Sequence, residues 1–195
     1  MAKDLTHQHI QRIFSVLHRG SDGIVVDDNI VRSWKRCLEG HVIEPTERHQ
    51  TLIIEQQRLR EHHERVESLL QIAGTEIDNL YQQISRSGYA ILLTDRDGII
   101  LHSVSDPVLH NEFMRAGLWR GAVWSEDQEG TNAIGTCLIE GLPLTVHLDE
   151  HYRVNNNLTC SAAPVFDPYG DLLAALDVSS VNCQDSRRSQ THAWH

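Results

Sequence analysis

The sequence predicts an α+β fold: a central antiparallel β-sheet flanked by helices, preceded by an N-terminal helical segment. Three observations carry this. Apolar residues recur at helical spacing up to about residue 87. Beyond that point two turn signatures, Asp95-Arg96-Asp97-Gly98 and Asp167-Pro168-Tyr169-Gly170, are each flanked by apolar runs. Between these two hairpins lies a stretch that reads as helix and loop, which makes one crossover over the sheet.

Ile10, Ile13, Phe14 and Leu17 share one face of a first helix, which Gly20, Asp22 and Gly23 end. Asp27, Asp28 and Asn29 offer N-caps to a second helix. Its apolar stripe is Ile30, Val31, Trp34, Cys37 and Leu38, closed by Gly40, and Cys37 is expected in the core. Pro45 separates it from a long helical segment. There Leu59, Val66, Ala73 and Leu80 recur every seven residues, with Leu70, Ile77 and Ile84 between them. That heptad seam serves either a helix packed on its own domain or one paired with its twin in a dimer.

GYAILLTDRDGIILHSV reads as the first hairpin, and LTCSAAPVF with LLAALDVSS as the second. LPLTVHL, residues 142–148, is a further strand, and a short helix spans 110–118. The expected organisation is an N-terminal helical segment (1–58), a long connecting or dimerisation helix (59–87), a sheet domain (88–180) and a polar tail or linker (181–195).

Composition narrows the function. The chain has 195 residues, 40% hydrophobic and 23% charged, with a net charge of -10. Acidity disfavours direct nucleic-acid binding, which usually shows a basic face. No run of 18 apolar residues spans a membrane, and the polar start is no secretory leader, so a cytoplasmic protein is expected. Cys37, Cys137, Cys160 and Cys183 form no C-x-x-C pair, so no zinc site is expected. His62 and His63, and likewise His7 and His9, read as solvated surface rather than metal ligands.

The densest signal is EGTNAIGTCLIEG, residues 129–141. Gly130 to Gly135 has the glycine spacing of a phosphate loop, but Thr136 stands where that loop needs lysine, and acids precede it. Cys137 as a nucleophile would lie deep in a helix from Ala133 to Glu140, far from the dipole that activates a thiol. An architectural reading needs no missing residue. Gly130 and Gly135 permit close backbone approach, Thr131 or Asn132 opens a short helix facing a small polar ligand, and Trp119 and Trp124 wall the cavity.

WSEDQEGTNAIGTCLIEGLPLTVHLDEHY and LTCSAAPVFDPYGDLLAALDVSS resemble the N-terminal GAF sensor domain of acetoin-catabolism-regulator-like, sigma-54-dependent bacterial transcriptional activators. IVRSWKRCLEGHVIEP resembles the helical lead-in of the same proteins, and LLQIAGTEIDNLYQQISRSGYAILLTDRDGIIL their connecting helix and first hairpin. The resemblance implies a GAF-like sheet, no enzyme activity, no cofactor and no metal. It implies a small-molecule effector and a homodimer through the N-terminal and connecting helices. DNA and RNA polymerase would be met only through domains absent from this chain. The expected ligand contacts are Leu93, His102, Phe113, Trp119, Trp124, Thr131, Asn132, Thr136, His147 and Cys160. The alternatives are a thiol-based redox sensor or enzyme using Cys137 and Cys160, and a dimerisation module that binds no ligand.

Overall fold

In the computed structural model, which describes residues 2–19, 26–47, 49–153 and 157–181, five strands form one antiparallel sheet. β1 (Tyr89–Asp95) and β2 (Ile100–Ser105) are the first hairpin; β3 (Leu144–His147), β4 (Leu158–Phe166) and β5 (Leu172–Val181) follow. The order across the sheet is β2-β1-β5-β4-β3, so β5 inserts between β1 and β4 and the segment between β2 and β3 crosses one face. The α+β class expected from the sequence is the observed one. Both turns form as their residues dictate. Asp95 Oδ1 accepts from the amides of Asp97 and Ile99, and Gly98 takes φ 78°. Asp167 Oδ1 does the same for the amides of Tyr169 and Asp171.

Alternation divides the sheet into two faces. Ala90 and Leu92 of β1, Ala175 of β5, and Cys160 and Ala162 of β4 point inward. Over them lies α7 (Ala133–Glu140), placing Ala133, Ile134 and Cys137 on the sheet. α5 (His110–Arg115) adds Phe113, and the loop after it adds Leu118 and Trp124. The small side chains of the inner face let α7 approach closely.

The N-terminal helices form a further layer over α7. α1 (Ala2–Arg19) contributes Ile13 and Val16 to the same cluster, and α2 (Asp28–Lys35) contributes Ile30 and Trp34. α2 opens on Asp27, whose side chain accepts from the Asn29 amide, and continues into a π-helical turn (Arg36–Gly40) carrying Cys37 into the core. Helical lead-in and sheet therefore share one core. The glycines expected to end α1 lie outside the described residues, as do Cys183 and the rest of the tail beyond 181.

The heptad segment covers the outer face. It is two helices, α3 (Gln56–Arg65) and α4 (Glu67–Ile84), broken at Val66 with φ -124° and ψ 25°. Below the break, Leu70, Ala73, Ile77, Leu80 and Ile84 pack on Ile91, Leu93 and Ala174. Above it, Leu59, Val66 and Leu70 pack on Ile99, Leu101 and Val123. The seam turns from one patch to the other at Val66. Its apolar stripe thus packs on the protein's own sheet.

Gly135 fixes how near α7 comes to the preceding loop. A Cβ built there would stand 2.4 Å from the Glu126 nitrogen and 2.8 Å from the Trp124 carbonyl oxygen. Gly135→Ala is therefore expected to destabilise the protein by about 1–3 kcal/mol or more. Urea unfolding checks this; an unchanged midpoint with unchanged slope contradicts the close approach.

Candidate functional site

The motif that stands out in the sequence begins one turn earlier than its glycines. α6 (Glu126–Glu129) is a single turn, and its first residue buries a carboxylate with 1% exposure. Arg36 meets it with two hydrogen bonds, Nε to Oε1 at 2.7 Å and Nη2 to Oε2 at 2.9 Å. Ser33 Oγ donates to Oε2 at 2.6 Å, and Thr136 Oγ1 at 3.1 Å. The Arg36 Nη1 donor goes to Glu140 at the end of α7, where Arg32 also binds, each at 2.7 Å. The hydrogen bonds from Arg32, then Arg36, pull the Glu140 carboxyl below its usual range. Donating to Glu126, and then to Glu140, strengthens the hold of Arg36 on its charge.

The remaining polar residues of the motif are engaged in the same way. Thr131 Oγ1 is hydrogen-bonded to Ser33 Oγ at 2.7 Å, with Thr131 donating because the single Ser33 proton goes to Glu126. Asn132 caps α7, accepting from the Gly135 amide at 2.8 Å and donating to the Gly130 carbonyl at 2.9 Å. The helix start thus satisfies its own side chain, where the sequence pointed to amides facing a ligand. Thr131 and Thr136, both hydrogen-bonded to Ser33, clamp α2 to α7.

The other expected contact residues fall on opposite faces of the sheet. Phe113, Trp124 and Cys160 lie in the inner cluster, with Trp119 packed against it. Leu93 and His102 pair across the outer face, where Leu93 meets α4 and His102 Nε2 stands 4.0 Å from Asp78. His147 is exposed on the edge strand, bonded through Nδ1 to Thr159 at 2.7 Å. No single cavity holds both sets, because neighbouring residues on a strand point to opposite sides.

The three described cysteines are buried and free. Burial pushes the Cys137 thiol up to about 12 and Cys160 well above its ordinary value, with the Asp177 carboxyl adding to both. Burial also raises Cys37, to about 11. Thiolates are scarce under such conditions, which disfavours the redox and thiol-enzyme alternatives at Cys137 and Cys160.

His62 is a correction to the reading of surface histidines. It is 6% exposed, with Nδ1 at 2.6 Å from Asp95 Oδ2, and pins α3 to the first hairpin. Its neighbour His63 turns the other way, to the Leu101 carbonyl at 3.1 Å. His62, Asp95 and Asp97 bring their ligand atoms within 4.8 Å of one another, the geometry of a cation site. The imidazole–carboxylate hydrogen bond, two backbone donors on Asp95 and Arg65 at 3.6 Å from Asp97 account for that cluster without an ion.

Two features carry chemistry that the sequence reading missed. Asp177 sits mid-strand on the inner face, opposite Leu92 and Ala162, with no exposure. Oδ2 accepts from Ser179 Oγ at 2.5 Å and Oδ1 has no partner. Burial pushes its carboxyl up to about 7, the Ser179 hydrogen bond opposing. A lone acid within LLAALDVSS was its visible signal. The second is a cleft of about 610 Å3 that opens to solvent above Trp124 and Leu158. Its walls are Thr46 and Thr51 of the segment before α3, Glu112 of α5, and Arg153. A volume of this size suits a small molecule.

A sequence family described as MimR, N-terminal domain, matches residues 12–190. The acetoin catabolism regulatory protein of Cupriavidus necator is 39% identical over 171 residues, covering 87% of this chain and 26% of that protein. The acetoin dehydrogenase operon transcriptional activator AcoR of Bacillus subtilis is 32% identical over 151 residues, 77% of this chain and 25% of that protein. The chain therefore spans about a quarter of the length of these relatives. Among solved structures, the crystal structure of the E. coli DhaR(N)–DhaL complex superposes with a TM-score of 0.75. It is 19% identical, covering 81% of this chain and 53% of that one. That likeness supports the α+β fold.

Arg36→Met strands the buried Glu126 carboxylate and is expected to cost about 3–5 kcal/mol in chemical denaturation, with Glu126→Gln in the same background recovering part of it. Additive losses in the two variants contradict the clamp. Asp177 ionises near 3.8 in the unfolded chain and about 7 when folded, so its contribution to stability falls as pH rises through that window. The full loss is on the order of 4 kcal/mol. His151, pushed down to about 4 by burial, acts oppositely, losing stability as pH falls below 6.5. Asp177→Asn is thus expected to flatten the decline in melting temperature from about pH 5 to about pH 8. An equally steep decline in the variant assigns the effect elsewhere.

Proposed function

Since the chain belongs to the family of MimR N-terminal domains, we propose that it is the effector-sensing part of a bacterial transcriptional activator. It works in the cytoplasm, with DNA and sigma-54 polymerase handled by the remaining length that its relatives possess. Regulators of acetoin and propane operons among those relatives support the regulatory reading over an enzymatic one.

The observation that carries the sensing role is the composition of the cleft over Trp124. One occupant would touch the segment that feeds α3, the end of α5, and the ends of β4 and β5 at Leu158 and Val181. That feeding segment is held to the loop below it by two backbone hydrogen bonds, Val123 N to Leu52 O and Ile54 N to Gly121 O, both 2.9 Å. A molecule that prefers one position of this segment shifts α3, and through Val66 shifts α4 on the outer face. A coupling of about 1–3 kcal/mol changes output several-fold to about a hundredfold. A homodimer through the outward side of α4, where Ile72 is 71% exposed, would pass the shift between copies. A protein effector is the second reading, favoured by the structural neighbour's assembly, DhaR(N) with DhaL.

A thermal-shift screen of small alcohols, ketones, aromatic acids and amines tests this. A compound at 100 times its dissociation constant stabilises the fold by about 2.7 kcal/mol. Ala116→Phe, which fills the cleft, is expected to abolish that stabilisation. Hits that stabilise the filled variant equally well place the effector elsewhere.

A further inference from the structure

We infer that the cleft selects a small molecule carrying a carboxylate at one end and an apolar body at the other. This rests on the cleft being the effector site, and it names the class of effector.

The apolar part follows from the floor. Trp124 is 3% exposed and its indole Nε1 already donates to the Gly117 carbonyl at 2.9 Å, so the ring asks for no polar partner from an occupant. Ala116, Leu158 and Val181 continue that surface.

The carboxylate follows from Arg153. Its Nη2 donates to the Gln128 carbonyl at 3.1 Å, while Nε and Nη1 are buried and have no acceptor. A guanidinium keeps its charge, and buried donors without acceptors are costly to maintain. The other charged groups facing the cleft are accounted for. Glu129 binds His49 at 2.8 Å, Glu112 lies 3.9 Å from Arg115, and Glu47 stands exposed at the rim. Among the described lining residues, no carboxylate lies within ion-pair distance of Arg153. A carboxylate supplies both the countercharge and the acceptors, whereas a neutral alcohol or ketone supplies acceptors alone. The site thus discriminates by leaving Arg153 uncompensated when the wrong class binds.

The test pairs molecules of one shape and two charges: benzoate with benzamide, and cyclohexanecarboxylate with its amide. Affinities come from ligand-observed NMR and calorimetry, with the Trp124 indole N–H signal reporting the place of binding. The acids are expected to bind the wild-type chain about tenfold more tightly than the amides. Arg153→Gln and Arg153→Met should erase that preference and leave amide binding unchanged, while each retains the wild-type melting temperature to within a few degrees without probe. Equal binding of acid and amide to the wild type, or a preference that survives both substitutions, overturns the carboxylate assignment and leaves the cleft as a site. Failure of every probe to bind or to move the Trp124 signal overturns the cleft reading as well.

Discussion

Glu126 lies with its carboxylate wholly inside the protein, under α2 and against α7. A charge in that position is tolerable only with a cation and enough donors around it. Arg36, Ser33 and Thr136 meet that requirement, and they come from α2, the π-helical turn that continues it, and α7. Much else follows from satisfying this one group. α2 must present Ser33 and Arg36 on one side, Gly135 must lack a side chain so that α7 can sit on the Glu126 amide, and Glu140 must take the remaining Arg36 donor. The ion pair specifies an arrangement more than it adds stability, since packed apolar groups of equal volume would serve stability as well.

The clamp joins α2 and α7 into one inner half. Its core is continuous from α1 to the sheet. The outer half differs. α3 and α4 lean on the sheet through half-buried apolar residues, Ile77 being the deepest at 3% exposure, and they are joined at an irregular Val66. His62 holds α3 by one hydrogen bond to Asp95. An element attached by fewer deep contacts moves at lower cost. The cleft over Trp124 lies where the inner half meets the segment leading into this looser half.

Asp177 belongs to the inner half and has a different physical character. It is a carboxyl in the middle of a sheet, with one oxygen unpaired and small residues around it. Such a group weakens the fold as it ionises, and natural interiors seldom retain one without use. It faces the inner layer between Leu92 and Ala162, and its carboxyl acts on the thiols of Cys137 and Cys160.

Local chemistry made the elements readable. The two Asp-to-Gly turns, the Asp27 cap, the Asn132 cap and the apolar periodicities each act over a few residues, so they are legible in one dimension, and with them the α+β class. The resemblance of the glycine motif and second hairpin to regulator sensor domains was legible for the same reason: both are contiguous. What one dimension withholds is which surface each residue meets. Leu93 and His102 read as pocket residues because they are apolar or ionisable on strands; only strand pairing shows that they face α4, one residue out of phase with Leu92. The heptad seam suits a twin helix or a sheet equally, and tertiary packing gave it to the sheet. Arg36 finds Glu126 across 90 positions, and two of the Arg153 donors are left without an acceptor, through distances in space that spacing along the chain does not encode. Turns and caps are settled by neighbours in sequence; partners for buried charges are settled by neighbours in space.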